Sequence, residues 1–493
     1  MNRFIFLFFT FTILSFCVIS CKKDKLLMDS SVKLSFSQDS VLFDTVFTSI
    51  GSATRQIRVR NTYNQKINIS SIQFEQGTSS NFIMNVDGIS GKVVNNVEIL
   101  ANDSAFIFIQ VKVDPTNSLS PLIIQDKILF DINGNTQSVA LEAWGQDAHY
   151  HYPDKAIQFK NGFLPYSIVS NQANVTVNWG GGTGISDNKP HVIYGWLVVD
   201  STQKLVINPG VKVYFHQNAG LWVYRYGTLQ VNGTLGNEVI FQGDRREADY
   251  ADIPGQWDRI WINEGKTDNY INYAIIKNSY IGIQAEVLLK LNQPKRLKVT
   301  NTIVKNCSKW GLYTTAFNIW AANNVICNSK EYCANITLGG NCIFLNNTFA
   351  NYFSKDGGRG TQPCVHIDNF DGTNIWPYDS LYFGNCIIDG SLTGSELDVD
   401  VRNPATATKI YQFNSCLLKS AVITGTTSIN TIYNLSANFV DPSVYNFKLK
   451  SPSSAAKGIG NNSLISLYST ILSSDISNAV RTSTPSAGAY EYY

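Results

Sequence analysis

Charge is what this sequence has least of. Asp, Glu, Lys and Arg make up 15% of its 493 residues, against about a quarter in a typical soluble domain. The 39 basic and 37 acidic residues nearly cancel, to a formal +2. Nucleic-acid binding demands a basic face, so a nucleic-acid partner is excluded on charge. Cys-x-x-Cys is missing too, which removes the usual spacing of a thiolate zinc site. Two of the nine cysteines lie in the first 21 residues, and the other seven fall between 307 and 416. An odd number in an oxidising compartment argues against a complete disulfide framework. Cys327 and Cys333 stay open as one candidate pair.

What replaces charge is a β-forming mixture. Apolar residues reach 44%, with 24 Tyr, 27 Phe and 35 Gly. Aromatic and β-branched side chains suit pleated surfaces, and Gly, Asn, Ser and Thr suit the turns between short strands. Length and apolar content together allow two or three domains with sizeable cores.

The chain opens with Asn2 and Arg3, followed by an almost wholly apolar run from 4 to 19. That run is too short and wrongly flanked for a membrane span, and it reads as a signal peptide. It leads into Val18-Ile19-Ser20-Cys21, which resembles the bacterial lipobox and departs from it at Ile19, where a small residue is usual. The resemblance implies that residues 1–21 are a lipoprotein signal and that Cys21 carries lipid. It also implies an outer-membrane location, facing the periplasm or the cell surface. Several acyl chains would anchor the protein firmly, at about 0.8 kcal/mol per buried methylene. Lys22, Lys23 and Asp24 partly resemble the export signal of surface lipoproteins.

Residues 32–147 read as the first folded unit. About seven alternating runs, separated by turn clusters such as Asn133-Gly134-Asn135, suggest an antiparallel β-sandwich. An early Asp44-Thr45-Val46 strand and a later alternation of Phe and Ile resemble immunoglobulin-like domains, without a Cys-Trp-Cys core. The resemblance implies a spacer that holds the next domain off the membrane.

Residues 148–190 read as a connector. His149 and His151 stand at i and i+2, as metal ligands on a strand would, or as ordinary linker residues. The glycine run after Trp179 lacks a strand–helix context, so a phosphate cradle is not indicated.

From 191 to 493 the pattern is repetitive. One motif, Asn and a variable residue before an apolar pair, starts at Asn272, Asn301, Asn324, Asn347, Asn385 and Asn414. Self-similarity near 20 to 30 residues, with longer intervals as extruded loops and no helical periodicity, means a β-solenoid. Inward apolar residues and cysteines would stack from rung to rung, while Asn tolerates left-handed turns. The runs around Leu205 and Gly227, with Pro254-Gly255-Gln256-Trp257 and Ile260-Trp261-Ile262, resemble the pectate-lyase-like right-handed parallel β-helix of uncharacterised lipoproteins. Ser486-Ala487-Gly488-Ala489-Tyr490 resembles the closing strand of such proteins. The expected fold is therefore all-β: an immunoglobulin-like sandwich followed by a right-handed parallel β-helix.

Chemistry is harder to place. A lyase on this fold would need carboxylates or a metal, calcium by implication, to neutralise a uronate, and a nearby base. A glycosidase would need two carboxylates at a set separation. Asp398 and Asp400 alternate, with Arg402 next on the same face. His366 and Asp368 do likewise, with Asp371 nearby. Neither set carries a recognisable signature, and no other cofactor is indicated. Arg245, Arg246 and Arg259 could grip an acidic glycan bidentately or form internal ion pairs. If Leu221 and Val223 point inward, then Trp222, Tyr224 and Tyr226 point outward, and Trp261 joins them. Such a row is a stacking platform unless the connector roofs it. The expected function is a non-catalytic envelope lipoprotein presenting its β-helix to a polysaccharide or an envelope protein. The alternative is a polysaccharide lyase or glycoside hydrolase.

Overall fold

The computed structural model describes residues 25–48, 51–113, 122–159, 162–181, 187–288, 296–402, 411–450 and 454–492. Cys21 to Asp24 and Gly182 to Gly184 lie outside them. The chain forms two compact units, Met1–Asp147 and Ala148–Tyr493.

The first unit is a sandwich of two five-stranded sheets. Alternation builds its core: Ile57 and Val59 from Arg55–Arg60 meet Ile107, Ile109 and Val111 from Ser104–Val111. One pair departs from the antiparallel expectation. Ser40–Phe47 runs parallel to Asn135–Gln146, with a register shift between Ala143 and Trp144. The core residues Val41, Phe43 and Val46 slip out of strict alternation at the same place. A bulge is what restores the inward phase after such a slip.

The second unit is a parallel β-helix. Its three sheets contain 11, 10 and 10 strands, most of them four to six residues long. The first begins at His149–His151, the second at Lys155–Phe159 and the third at Thr176–Trp179. The described residues of 148–190 thus open the β-helix and do not form a connector. The polar residues that suggested a linker are the surface of a capping rung, where Lys155–Phe159 folds antiparallel on Gly162–Ile168. All other described pairs in these sheets are parallel, and such crossovers almost invariably wind right-handed.

Inward residues form columns. Leu197, Leu221, Ile260, Ile283, Leu312, Ala334, Val365 and Leu397 stack through successive strands of the second sheet. In the third sheet, Phe344, Phe383 and Phe413 stack at 4.7 and 5.0 Å. Coils approach so closely at one bend that side chains are excluded: a Cβ on Gly282 would lie 2.4 Å from the Gly311 carbonyl oxygen. Seven cysteines are free and buried. Cys333 belongs to the interior core, whereas Cys327 points outward from the first sheet. Opposite faces exclude the Cys327–Cys333 disulfide.

Four of the six motif asparagines fall into two columns. Asn301, Asn323, Asn346 and Asn385 occupy left-handed turns, with φ of 48°, 56°, 51° and 54°. One residue further on, Asn324 and Asn347 are buried in a ladder. Asn324 donates to Asn347 Oδ1 at 2.8 Å, and Asn347 donates to the Ala321 carbonyl at 2.9 Å.

The C-terminal part does not end in a strand. Residues 486–492 run irregularly back along the coils, with the Gly488 N–H donating to the Asn385 carbonyl at 2.7 Å. The positive φ of Gly488, 92°, is incompatible with the extended strand that the sequence suggested. Ahead of it come a hairpin, Phe439–Asp441 with Asn446–Leu449, and two short helices, α1 (Asn462–Leu467) and α2 (Ser469–Leu472). This segment covers two outer faces. Phe439, Phe447, Ala487 and Ala489 pack on Val325, Cys327, Ile387 and Leu417 of the first sheet. Ile465 and Leu472 pack on Trp320 and Leu345 of the third.

Candidate functional site

The second sheet carries most of the residues singled out from the sequence on one outward face. Register places Trp222, Trp261, Gln284, Tyr313, Asn335, His366 and Asp398 in a single column. A parallel column brings Asn263, Glu286, Thr315, Thr337, then Asp368 beside Asp400. The face therefore runs from an indole-rich end to an acidic end.

At the indole end the rings shield one another. Trp222 and Trp261 stack with centroids 4.7 Å apart and planes at 9°, and Trp196 meets Trp261 edge-on at 5.9 Å. Trp222 and Trp261 are 6% and 8% exposed. Their N–H groups donate to Asn263 Oδ1 at 2.7 Å and to Glu286 Oε1 at 2.9 Å. The opening coil does not roof them; it extends their sheet and adds Leu164, Tyr166 and Ile168 to the cluster. Tyr224 lies at its edge. Tyr226 does not share the strand, because Gly220–Val223 ends before it and its φ of 67° places it in a turn. The outward phase is as the alternation implied, but these tryptophans are packing and not a platform.

The arginines are engaged internally. Arg245 pairs with Glu247 at 3.0 Å and lies 3.8 Å over Tyr250. Arg246 donates to the Tyr214 hydroxyl at 2.6 Å. Arg259 pairs with Asp258 at 2.5 Å and also donates to Gln284. Arg245 and Arg246 belong to the loop after the first-sheet strand Val239–Gly243, apart from Arg259, which immediately precedes the second-sheet strand Ile260–Asn263.

Further along the face, half-buried rings follow that sequence reading overlooked. Trp310 and Tyr313 lie 4.5 Å apart, Trp310 and Tyr332 6.5 Å, and Tyr332 and His366 5.3 Å. Exposed Tyr280 precedes them, with Lys309 over both Tyr280 and Trp310, at 5.6 and 4.2 Å. These rings come from three coils, so only rung alignment could have gathered them.

His366 is held on both sides. Its Nε2 meets Asp368 Oδ2 at 3.0 Å, and its Nδ1 meets Asp398 Oδ2 at 2.8 Å. The hydrogen bond to Asp368 first, and that to Asp398, raise its pKa against the opposing effect of burial. With a carboxylate on each ring nitrogen, neither nitrogen is left open to a substrate. Asp400 pairs with Arg402 at 3.2 Å. Asp371 stands aside, capping its own turn through Thr373 and Asn374. Its pKa is lowered by those backbone hydrogen bonds and by Trp376.

His149 and His151 lie in the opening coil. His149 contacts Asp187 at 2.6 Å, and His151 contacts His191 at 3.0 Å. Among the described residues, no group of three or more His, Cys, Asp or Glu is placed to hold a metal, and no helix is long and apolar enough to cross a membrane.

No family model matches the chain, and no curated protein matches it. Some solved structures are similar over limited stretches. A family 123 glycoside hydrolase from Clostridium perfringens matches 24% of this chain and 24% of its own length, with 13% identity and a TM-score of 0.18. A PapD-like domain of human CEP192 matches over 26% of this chain and 95% of itself, with 12% identity and a TM-score of 0.18. A protein of unknown function from Porphyromonas gingivalis matches over 30% and 60%, with 12% identity and a TM-score of 0.16. Scores this low carry no functional argument.

Proposed function

We propose that this chain is an exported cell-envelope lipoprotein, held on the outer membrane by lipid on Cys21, whose β-helix binds a glycan without cleaving it. One observation carries the binding reading. In the later coils the outer faces of the first and third sheets are packed against the C-terminal segment, while the second keeps Tyr280, Trp310, Tyr313 and Tyr332 in a partly open row. Aromatic faces beside polar edges suit a sugar, whose ring has apolar C–H faces and a hydroxyl rim. His366, closed by two carboxylates, favours binding over proton transfer. The catalytic alternative, a polysaccharide lyase or glycoside hydrolase, is supported by Asp368 Oδ1, which is buried without a hydrogen-bond partner.

Affinity electrophoresis of the lipid-free protein in gels containing neutral and acidic polysaccharides tests this reading. Retardation that is lost in Tyr313→Ala and Trp310→Ala is expected, with no unsaturated or reducing products. Product release that disappears in Asp368→Asn would replace it with the catalytic one. For the anchor, a clickable fatty acid should label the wild type and not Cys21→Ala.

A further inference from the structure

A second recess lies away from that face, where the last coils meet the start of the C-terminal segment. It has a volume of about 710 Å³, within the range of about 300–1,000 Å³ typical of small-molecule sites. One wall comes from the strand Ile387–Gly390, the turn after it and residues 419–421; the other is residues 434–436. Nothing in the sequence marked it, because its lining is gathered from separate stretches between Tyr352 and Ser436.

Its chemistry is specific. Asp389 lines the recess yet is only 8% exposed. One of its carboxylate oxygens accepts the Gly390 N–H at 2.8 Å, and Tyr352 lines the same recess. Lys419 does not close on Asp389 as an ion pair; its ammonium donates to the Gly390 carbonyl at 2.7 Å. Glu396, behind Asp389, is neutralised by bidentate Arg359, at 2.9 Å for both contacts. A carboxylate accepts several hydrogen bonds, and a buried one is costly until it does. Burial holds the Asp389 pKa above the usual carboxylate range despite Gly390, Tyr352 and Lys419. The lining also offers the hydroxyls of Thr393, Ser420 and Ser436, and the apolar surface of exposed Leu435.

We infer that this recess is a binding site for one neutral, hydroxyl-rich ring, a single uncharged glycosyl unit, whose hydroxyls donate to Asp389 and whose apolar face lies against Leu435 and Tyr352. One acidic and one basic side chain face the recess, so it has no net charge with which to select a charged sugar. The site is independent of the aromatic row on the second sheet. With Glu396 held by Arg359, the recess lacks the second free carboxylate that hydrolysis would require.

Saturation-transfer NMR with glucose, galactose, mannose and N-acetylglucosamine, each at millimolar concentration, tests the site, with glucuronate as the charged comparison. Gly394→Trp is the blocking variant. An added Cβ at Gly394 meets nothing within 4 Å, so a side chain is accommodated there without strain. Transfer to at least one neutral sugar is expected. It should be abolished in Gly394→Trp and weakened at least tenfold in Asp389→Asn, since a hydrogen bond to a charged group contributes about 1.5–3 kcal/mol and about 1.4 kcal/mol is tenfold. Tyr313→Ala should leave it unchanged. Should Gly394→Trp fail to fold, Asp389→Asn and Lys419→Met carry the same reading. The inference is overturned if no neutral sugar shows transfer, if glucuronate binds more tightly, or if the signal survives Gly394→Trp. A signal lost in Tyr313→Ala and kept in Gly394→Trp would place sugar binding on the second sheet alone.

Discussion

Mild acid should loosen the opening coil of the β-helix before the middle coils. His191 is 0% exposed and stacks on Trp179, with centroids 3.8 Å apart and planes at 13°. Its Nδ1 meets His151 Nε2 at 3.0 Å, while its Nε2 is buried without a partner. His149 lies 5.0 Å from the same ring and contacts Asp187. Burial first, then the neighbouring His149, lowers the pKa of His151 from 6.5 to about 4, and burial drives His191 well below its ordinary value. The sign follows directly. Above pH 6.5 both rings are neutral, folded or unfolded. Below it the unfolded chain takes up protons that the folded coil refuses, so stability falls as pH drops from 6.5 towards 4. At about 1.4 kcal/mol per pH unit, His151 alone accounts for a loss of about 3 kcal/mol by pH 4, and His191 acts in the same direction.

Hydrogen exchange read strand by strand, corrected for intrinsic rates, measures this. Amides of His149–His151, Thr176–Trp179 and His191–Ile193 should lose protection between pH 7 and 5. Those of Val325–Ser329, in the middle of the first sheet, should not. His151→Gln should flatten much of the slope, and His191→Phe, which keeps a ring on Trp179, should flatten more. Protection that is level across this range in the wild type would refute the argument. So would an unchanged slope in both variants.

Three further outcomes are expected. Burial pushes the Cys307 and Cys342 thiols up to about 12, so iodoacetamide should leave the seven cysteines of the signal-free chain unmodified until denaturant is added, when mass spectrometry should count seven adducts. Arg481 and Glu491 pair at 3.3 Å with 0% and 2% of their side chains exposed. Breaking such a pair costs about 3–5 kcal/mol, so Arg481→Met should make residues 436–492 protease-sensitive while the coils keep their circular dichroism. Trp261→Ala should cost about 3–5 kcal/mol of stability in thermal or denaturant unfolding without weakening polysaccharide retardation, whereas Tyr313→Ala should do the reverse.

The division between what the sequence disclosed and what it hid follows the two sides of the sheet. Inward positions obey a local rule: every other residue of a short strand is apolar. Hence the phase of Leu221, Val223, Ile260 and Ile262 was legible from a few neighbours. Left-handed turns are nearly local as well, since Asn tolerates them. Even so, the motif fused two columns, because Asn324 and Asn347 are kept for buried ladder bonds and not for their φ. Outward positions obey no local rule. Their surroundings are set by residues one coil away, and coil length varies as loops are extruded. Trp222 and Trp261 looked like a platform because the sequence shows a ring pointing out and conceals that the ring above and the ring below close over it. Tyr313 looked ordinary for the converse reason: Gln284 and Asn335, its neighbours in the column, carry no ring to close over it, and it stays partly open. His366 and Asp368 were paired from their spacing, but Asp398 joins from the next coil, and it is Asp398 that occupies the second ring nitrogen. The fold of a solenoid is therefore written along the chain, while its surface chemistry is written across it.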